Sequence, residues 1–281
     1  MYDKQMSRPL LPVGRAIGLG VVLLGAVPTF AEDGRIFAQV QTGPNRDSGT
    51  LARTRVTAAS ETATGHLRKR FPRLEIGETA LTPVNGIVVV KVGGDYVYLT
   101  EDGRHAFVGS LVDLESGANL TEAGKARDRQ ATLADFPDAD RVVYPAQGQE
   151  QARLTVFTDT SCGYCRKLHQ EVPTLQKAGV AVTYIPFPRS GPTGAAYETM
   201  RKVWCSPDRR KAMDIAKGVS SGDLASGDCK EADAVEADYE LGIRLGVNGT
   251  PAIVMPHGQI QPGYLPANRL LAALGLKKQE S

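Results

Sequence analysis

Alternation of apolar and polar positions predicts a small β-rich unit in the first half of the chain. Two apolar runs, Gly86–Val92 and Tyr96–Thr100, flank a Gly-Gly-Asp sequence that is typical of hairpin turns. Another run at His105–Leu114 predicts a third strand, and Glu61–Phe71 predicts a helix that ends at Pro72. A unit of this size buries little apolar surface, so we expect it to pack against a partner.

A polar stretch separates this unit from the second half of the chain. Residues Asn119–Phe136 have helical spacing, with Thr121 at the predicted start and mostly alanine at the apolar positions. So few large apolar side chains indicate a solvated helix that connects two units.

The second half of the chain alternates strands and helices. The strand RLTVFTD leads into a helix beginning at Cys162, which Pro173 should kink and Gly179 should end. The strand VAVTYIPFP comes next, and two strands and a helix close the chain, the first strand starting at Thr250-Pro251. Further helices are predicted at 195–204, 208–218 and 230–246. This order, with CxxC at the first strand–helix junction, is typical of thiol-redox folds.

The N-terminus predicts the compartment. Lys4, Arg8 and Arg15 precede the apolar run AIGLGVVLLGAV and the sequence PTFAED. A basic segment, a short apolar segment and a small residue at the cut are typical of a secretory signal peptide, here residues 1–31 with cleavage after Ala31. An uncleaved membrane anchor is the alternative, but a spanning helix needs about 20 apolar residues and this run is shorter.

Composition and charge indicate a globular protein and give no sign of nucleic-acid binding. The chain is 42% hydrophobic and 23% charged, as in ordinary globular proteins. Residues 32–59 lack periodicity and are rich in small and polar residues, which predicts a flexible leader. The net charge of +2 disappears with residues 1–31, which hold three basic residues and one acidic residue. The charge therefore gives no reason to expect a nucleic-acid partner, and export permits disulfides.

Four cysteines allow three kinds of chemistry. A tetrahedral zinc site usually has two close ligand pairs, but only Cys162 and Cys165 are close, and His169 could add no more than a weak ligand. We therefore expect no metal.

A Cys205–Cys229 disulfide would close a loop of about 25 residues and stabilise the fold by ~3.5 kcal/mol. The short Cys162–Cys165 loop would contribute only about 2 kcal/mol, which favours a reversible redox pair.

Thiol–disulfide exchange accounts for the position of this pair. The reaction proceeds by thiolate attack through a mixed disulfide and needs no cofactor. At a helix N-terminus, unsatisfied N–H groups and the helix dipole lower the pKa of Cys162, which we expect to be the nucleophile and a good leaving group. Cys165, one turn further along, is expected to resolve the mixed disulfide.

Residues elsewhere in the chain are expected to contribute to the same site. X-Pro bonds are the only peptide bonds that are often cis, and we expect a cis Thr250-Pro251 bond beside the CxxC segment. The backbone before Pro251 could then pair with an extended substrate. Gly163 permits a tight helix start, and Tyr164 is either exposed surface or a substrate contact. Trp204 and the strand at Tyr184–Phe187 are expected in the core rather than in a substrate platform.

Several motifs together resemble a known family. The segments VFTDTSCGYCRKLH, VWCSPD, LGVNGTPAIV and PGYLP are similar, in order and spacing, to the bacterial periplasmic disulfide isomerases DsbC and DsbG, and closer to DsbC. The segment YLTEDGRHAFVGSLVD resembles that family's N-terminal dimerisation domain. The resemblance runs from about Glu61 to Leu276.

The resemblance implies a fold and a division of the chain. It implies an α+β, cystatin-like dimerisation domain, joined by a linker helix to a thioredoxin-like α/β domain with a helical insertion. The expected division is signal peptide 1–31, leader 32–59, dimerisation domain 60–118, linker helix 119–140 and catalytic domain 141–281. The leader departs from the family pattern.

The resemblance also implies roles and partners. Cys162 would be the attacking cysteine, Cys165 its partner, Cys205–Cys229 a structural disulfide and Thr250-Pro251 the threonine–cis-proline step. The partners would be a second copy of the chain, misoxidised exported proteins and a DsbD-type membrane reductase. We expect a secreted, homodimeric thiol:disulfide isomerase. A DsbG-like reductase of sulfenylated cysteines and a holdase for unfolded chains are the alternatives.

Overall fold

The computed structural model describes residues 60–136 and 141–276. They form two β-sheets, a helix that connects the two sheets, and further helices that pack against each sheet. The expected signal peptide 1–31 and leader 32–59 lie outside these residues. In the described part, no helix has the length and apolar character needed to cross a bilayer.

The first sheet is an antiparallel meander that packs on helix α1, residues 60–70. Its strands follow one another in space as in sequence: β1 (Ile76–Leu81), β2 (Ile87–Val92), β3 (Asp95–Thr100) and β4 (Ala106–Val108). Ala63 of α1 packs with Val88, Val90 and Leu99 in a small apolar core. The predicted helix before the strands is confirmed.

The β2–β3 hairpin has the predicted turn. Val92 pairs with Asp95, which leaves Gly93 and Gly94 as a two-residue loop. Gly93 has φ +59°, in the left-handed region that side chains with a Cβ rarely adopt. The glycine pair therefore sets the register of the two central strands.

The structure differs from the sequence prediction at two strands of this unit. Strand β1 was missed because Gly77 and Glu78 interrupt its apolar positions and its pairing shifts between Ile76 and Thr79. The predicted strand His105–Leu114 shortens to β4, because the Asp113 side chain accepts hydrogen bonds from two following backbone N–H groups and forms a turn instead.

Helix α2 (Leu120–Ala134) starts at Asn119, not at Thr121 as predicted. The Asn119 side chain accepts from the Glu122 backbone N–H at 2.9 Å, the usual N-cap bond. The Thr121 hydroxyl is buried instead, bonded to the Tyr98 hydroxyl and to the Leu111 backbone N–H. Both residue types cap helices, and burial of Thr121 left the cap to Asn119.

A buried arginine attaches α2 to the second half of the chain. Arg129 donates from Nε to the Leu245 carbonyl at 2.9 Å and from Nη1 to the Gly258 carbonyl at 3.1 Å, while Glu122 supplies the opposite charge. A Cβ at Gly258 would lie 2.0 Å from the Ala126 carbonyl, so only glycine permits this approach. The prediction of a solvated helix was therefore wrong on this face.

The second sheet has five strands in the order β5-β7-β6-β8-β9. Central β6 pairs parallel with β7 and antiparallel with β8. Every position of β7 is buried, as expected for a strand covered on both faces. Strand β5 was not predicted, because three residues are too few to show a period. The strands are β5 (Val142–Tyr144), β6 (Ala152–Thr158), β7 (Val180–Pro186), β8 (Ala252–Val254) and β9 (Ile260–Pro262).

Helices cover both faces of this sheet and confirm the expected thioredoxin-like α/β fold with an insertion between β7 and β8. The break between α3 and α4, next to Pro173, is the predicted kink. Trp204 and Tyr184 are among the largest fully buried side chains, which confirms their predicted core position. The helices are α3 (Gly163–Gln170), α4 (Val172–Lys177), α5 (Ala195–Trp204), α6 (Arg209–Ala216), a 3₁₀ turn (Lys230–Asp233), α7 (Ala234–Arg244) and α8 (Ala267–Ala273).

A disulfide crosses the helical insertion. Cys205 ends α5 and Cys229 precedes the 3₁₀ turn, and their sulfurs are bonded. The bridge joins residues separated by 24 positions, so it restricts the unfolded chain far more than a CxxC bridge would.

Replacing both Cys205 and Cys229 by alanine should lower the free energy of unfolding by about 2–4 kcal/mol, because the unfolded chain regains loop entropy. Urea denaturation followed by circular dichroism measures the change. The matched control is the Cys162→Ser/Cys165→Ser protein, whose stability should change much less. A similar loss in both proteins would contradict a structural role for the bridge.

Candidate active site

The two cysteines of the CxxC segment lie where β6 ends and α3 begins. Cys162 is the N-cap residue of α3, and its Sγ accepts from the Cys165 backbone N–H at 3.4 Å. Both are free thiols, 4% exposed at Cys162 and 1% at Cys165. The structure thus places Cys162 at the helix N-terminus, as the sequence predicted, and Cys165 one turn deeper.

The Thr250-Pro251 segment lies against this pair. The Cys162 thiol donates to the Thr250 carbonyl at 3.3 Å, across 88 positions of sequence. The peptide bond between Thr250 and Pro251 is cis, in agreement with the expectation. The Gly263 backbone N–H donates to the Pro251 carbonyl at 2.8 Å and ties the segment to the end of β9. Residues predicted to share a site are therefore neighbours.

The surroundings of Cys162 favour its thiolate. Burial raises the pKa of the thiol, but the Cys165 backbone N–H and the positive charge of Arg189 act against it, and the net pKa lies below the usual value. Asp159 holds Arg189 in place: its carboxylate accepts from the Arg189 Nε at 2.9 Å and from the Arg189 backbone N–H at 3.1 Å. The Cys162 thiol therefore loses its proton more easily than an ordinary cysteine does.

The surroundings of Cys165 have the opposite effect. Burial raises the pKa of this thiol, against the charge of Lys217 and hydrogen bonds from the Asp159 backbone N–H and the Thr158 hydroxyl, and the net pKa lies above the usual value. The Cys162 thiol therefore loses its proton more readily than the Cys165 thiol does. This division suits attack followed by a later resolving step.

His169 belongs to a buried hydrogen-bond network rather than to a metal site. Its Nδ1 lies 3.1 Å from the Tyr184 hydroxyl, and its Nε2 lies 3.0 Å from Asp214 Oδ1. Burial lowers the pKa of His169 to about 4, although Asp214 opposes the shift. Within residues 60–136 and 141–276, no three His, Cys, Asp or Glu side chains are grouped as a metal would require. His169 thus supports α3 as a neutral side chain.

Tyr164, between the two cysteines, is the exposed aromatic residue of the site. Its side chain is 64% exposed and stacks on Tyr264, with ring centroids 6.1 Å apart. The Tyr264 hydroxyl donates to Glu171 at the end of α3. A Cβ at Gly163 would meet nothing within 4 Å, so this position is open towards solvent. Both residues between the cysteines therefore lie where an incoming chain can reach them.

Sequence reasoning missed Arg189 and Lys217, both of which act on the cysteine sulfurs. Arg189 follows β7, and a basic residue near a strand end carries no signal of its own. Lys217 follows a polar helix, and the sequence alone predicts that it is exposed to solvent like the other lysines near it. Only their position in the folded chain distinguishes them.

Comparisons with known proteins agree for both halves of the chain. Residues 138–278 match the family described as thioredoxin-like domain, and residues 54–122 match the disulfide bond isomerase protein N-terminal domain. The thiol:disulfide interchange protein DsbC of Dickeya dadantii is 35% identical over 82% of this chain and 92% of its own length. The DsbC protein of Escherichia coli strain K12 is 36% identical over 67% of this chain and 76% of its own.

A solved structure is also similar to part of the chain. A disulfide interchange protein from Neisseria gonorrhoeae aligns with a TM-score of 0.42 and 26% identity, over 52% of this chain and all of its own.

Replacing Arg189 by glutamine should raise the pKa of Cys162, because the thiolate loses a nearby positive charge. Below that pKa, alkylation of Cys162 by iodoacetamide should slow by roughly two- to fivefold, since half-exposed ion pairs contribute about 0.2–1 kcal/mol. The rate is measured against pH, in low and high salt, and salt should reduce the difference. Arg244→Gln, an exposed change on α7, is the control; identical pH profiles for all three proteins would contradict the prediction.

Proposed function

The chain belongs to the DsbC family of thiol:disulfide interchange proteins, and we propose that it reduces and reshuffles non-native disulfides in exported proteins through Cys162 and Cys165. The observation that carries this proposal is the split pair: a helix-capping thiol with a lowered pKa beside a buried thiol with a raised one. The similarity to DsbC proteins favours disulfide interchange over a DsbG-like sulfenic acid reductase or a holdase.

Attack by Cys162 starts both reactions. Its thiolate forms a disulfide with one substrate sulfur, and the other substrate sulfur leaves as a thiolate. If a substrate thiolate then attacks the mixed disulfide, Cys162 is regenerated and the substrate has exchanged one disulfide for another. If Cys165 attacks instead, the substrate leaves reduced by two electrons and a Cys162–Cys165 disulfide forms.

Four residues around the sulfurs are proposed to hold the substrate chain. Thr250 presents its backbone next to the Cys162 sulfur, and the cis bond to Pro251 turns the chain at that point. Gly163 and Tyr164 lie on the solvent side of the pair, with Tyr164 offering an exposed aromatic face. An extended substrate strand could pair with the Thr250 backbone while its cysteine reaches Cys162.

The edge strand of the first sheet supports a homodimer. Among residues 60–136 and 141–276, strand β4 pairs with β3 alone, and its three residues are exposed. Val108 is 85% exposed and Leu114, after the strand, is 94% exposed. Unpaired strand edges and exposed apolar patches are usually covered in native proteins, and a second copy of the same edge is the expected cover.

The same proposal covers location and organisation. Residues 1–31 would direct export to the periplasm, where a DsbD-type membrane reductase would keep Cys162 and Cys165 reduced. Residues 60–118 would dimerise, 119–140 would form the linker, and 141–281 would carry the chemistry, with 32–59 as a leader.

Replacing Cys162 by serine should reduce disulfide reduction and reshuffling to background, because the attacking sulfur is lost. Replacing Cys165 by serine should instead leave substrates attached through mixed disulfides, visible on non-reducing gels. Reactivation of a scrambled-disulfide substrate in a glutathione buffer measures turnover. Normal turnover by the Cys162→Ser protein would rule out the proposed nucleophile.

Placing aspartates at both Phe107 and Leu114 should give a monomer, because the apolar edge becomes charged. Sedimentation velocity measures the assembly state. The monomer should still reduce simple disulfides but should lose reactivation of scrambled substrates. Val219→Asp, an exposed apolar position on the catalytic half, is the matched control and should remain dimeric. A stable dimer in the doubly substituted protein would contradict the proposed interface.

A further inference from the structure

A buried lysine lies close to the active-site cysteines. Lys217 ends α6 with 1% of its surface exposed. Its Nζ donates to the Thr158 hydroxyl at 2.6 Å and to the Asp159 carbonyl at 2.9 Å. Both acceptors are neutral oxygens, so these bonds do not neutralise the buried charge. A buried ammonium is costly, which suggests that it serves a function here.

The two residues that hold Lys217 also face Cys165. Thr158 is fully buried at the end of β6, and Asp159 follows it. The Asp159 carbonyl that accepts from Lys217 also accepts from the Cys162 backbone N–H at 3.3 Å, and the charge of Lys217 lowers the pKa of the Cys165 thiol. Because the Thr158 oxygen accepts from Lys217, its own hydrogen is available to the sulfur. Lys217 therefore fixes the Thr158 hydroxyl and the Asp159 carbonyl beside the cysteine pair.

The resolving step needs this support. Cys165 must become a thiolate inside the protein before it can attack the mixed disulfide, and burial opposes that charge. We infer that Lys217 is a positioning residue for this step: its buried ammonium, held in place by Thr158 and Asp159, favours the Cys165 thiolate. The inference rests on the roles proposed above for Cys162 and Cys165.

The step balances without an additional reactant. The Cys165 thiolate attacks the Cys162 sulfur of the mixed disulfide, the Cys162–Cys165 bond forms, and the bond between Cys162 and the substrate breaks. The substrate sulfur leaves as a thiolate and takes up the proton that Cys165 released. The cysteine pair is oxidised by two electrons and the substrate is reduced by two.

Several other groups surround the lysine and influence its charge. Burial lowers the pKa of Lys217 to about 8, while the neighbouring sulfurs and Asp159 raise it and Arg166 lowers it further. The ammonium is thus charged at pH 7 and loses its proton as the pH rises past about 8. The groups are Cys162, Cys165 and Arg166 of α3, Asp159 after β6, Tyr184 of β7 and His169 of α3.

The test resolves the reactions of Cys162 and Cys165 as two kinetic phases. The aromatic disulfide dithiobis(nitrobenzoate) releases one coloured thiolate when Cys162 attacks it and a second when Cys165 resolves the product. In stopped-flow measurements on the full chain, Lys217→Met should leave the first phase nearly unchanged. The second phase should slow on the order of tenfold, as for a thiolate destabilised by one pKa unit. Lys211→Met, an exposed change on the same helix, is the matched control.

A pH series and variants of Thr158 distinguish a positioning role of Lys217 from a purely structural one. The ratio of second-phase rates, native over Lys217→Met, should be largest near pH 7 and should fall towards one above pH 8, where native Lys217 loses its charge. Thr158→Val should slow the second phase as Lys217→Met does, while Thr158→Ser, which keeps the hydroxyl, should not. The ratio of the two phases within one sample is independent of any misfolded fraction.

Each outcome has one meaning. Equal slowing of both phases in Lys217→Met, or a second phase with unchanged rate and pH profile, would overturn the inference. A first phase that survives in Cys162→Ser would instead overturn the proposed function, whatever the lysine variants show. The inference about Lys217 is supported if the second phase is slow only in Lys217→Met and Thr158→Val and the first phase is normal in both.

Discussion

The site depends on the antiparallel pairing of β6 with β8. Phe157 pairs with Ala252, so the chain leaving β6 towards Cys162 passes the chain that enters β8 through Thr250 and Pro251. A slip of one residue would turn every side chain of β8 to the other face of the sheet. This register is therefore what brings the Cys162 sulfur to the Thr250 carbonyl, and the remaining parts of the site are arranged around that contact.

The groups that oppose burial separate the two thiols. Burial raises the pKa of both thiols, and the opposing groups differ between Cys162 and Cys165. Cys162 lies at the N-terminus of α3, where the Cys165 backbone N–H and the charge of Arg189 lower its pKa. Cys165 lies within the core, where its support comes from Lys217 by way of β6. One strand end thus holds both the acidic group that positions Arg189 and the residues that contact Lys217.

Much of the fold could be predicted from local patterns. The Gly93 turn, the break before Pro173 and the buried Trp204 follow from backbone and side-chain preferences that need no distant partner. The failures share a cause. Asn119 and Thr121 are both residue types that cap helices, and Thr121 is buried against Tyr98, which leaves the cap to Asn119. Strand β1 is recognisable only by its pairing with β2, because its own residues alternate poorly.

The sequence by itself determined the chemistry: two cysteines at a helix start and a Thr-Pro step before a strand are local features with local physical consequences. The tertiary structure alone decided how strongly each thiol is ionised. Arg189 lies 24 residues or more from either cysteine and Lys217 more than 50, and their effects on the sulfurs depend on distance and burial rather than on residue type. A lysine carries the same charge wherever it stands in a sequence, but only folding removes the water that would screen it.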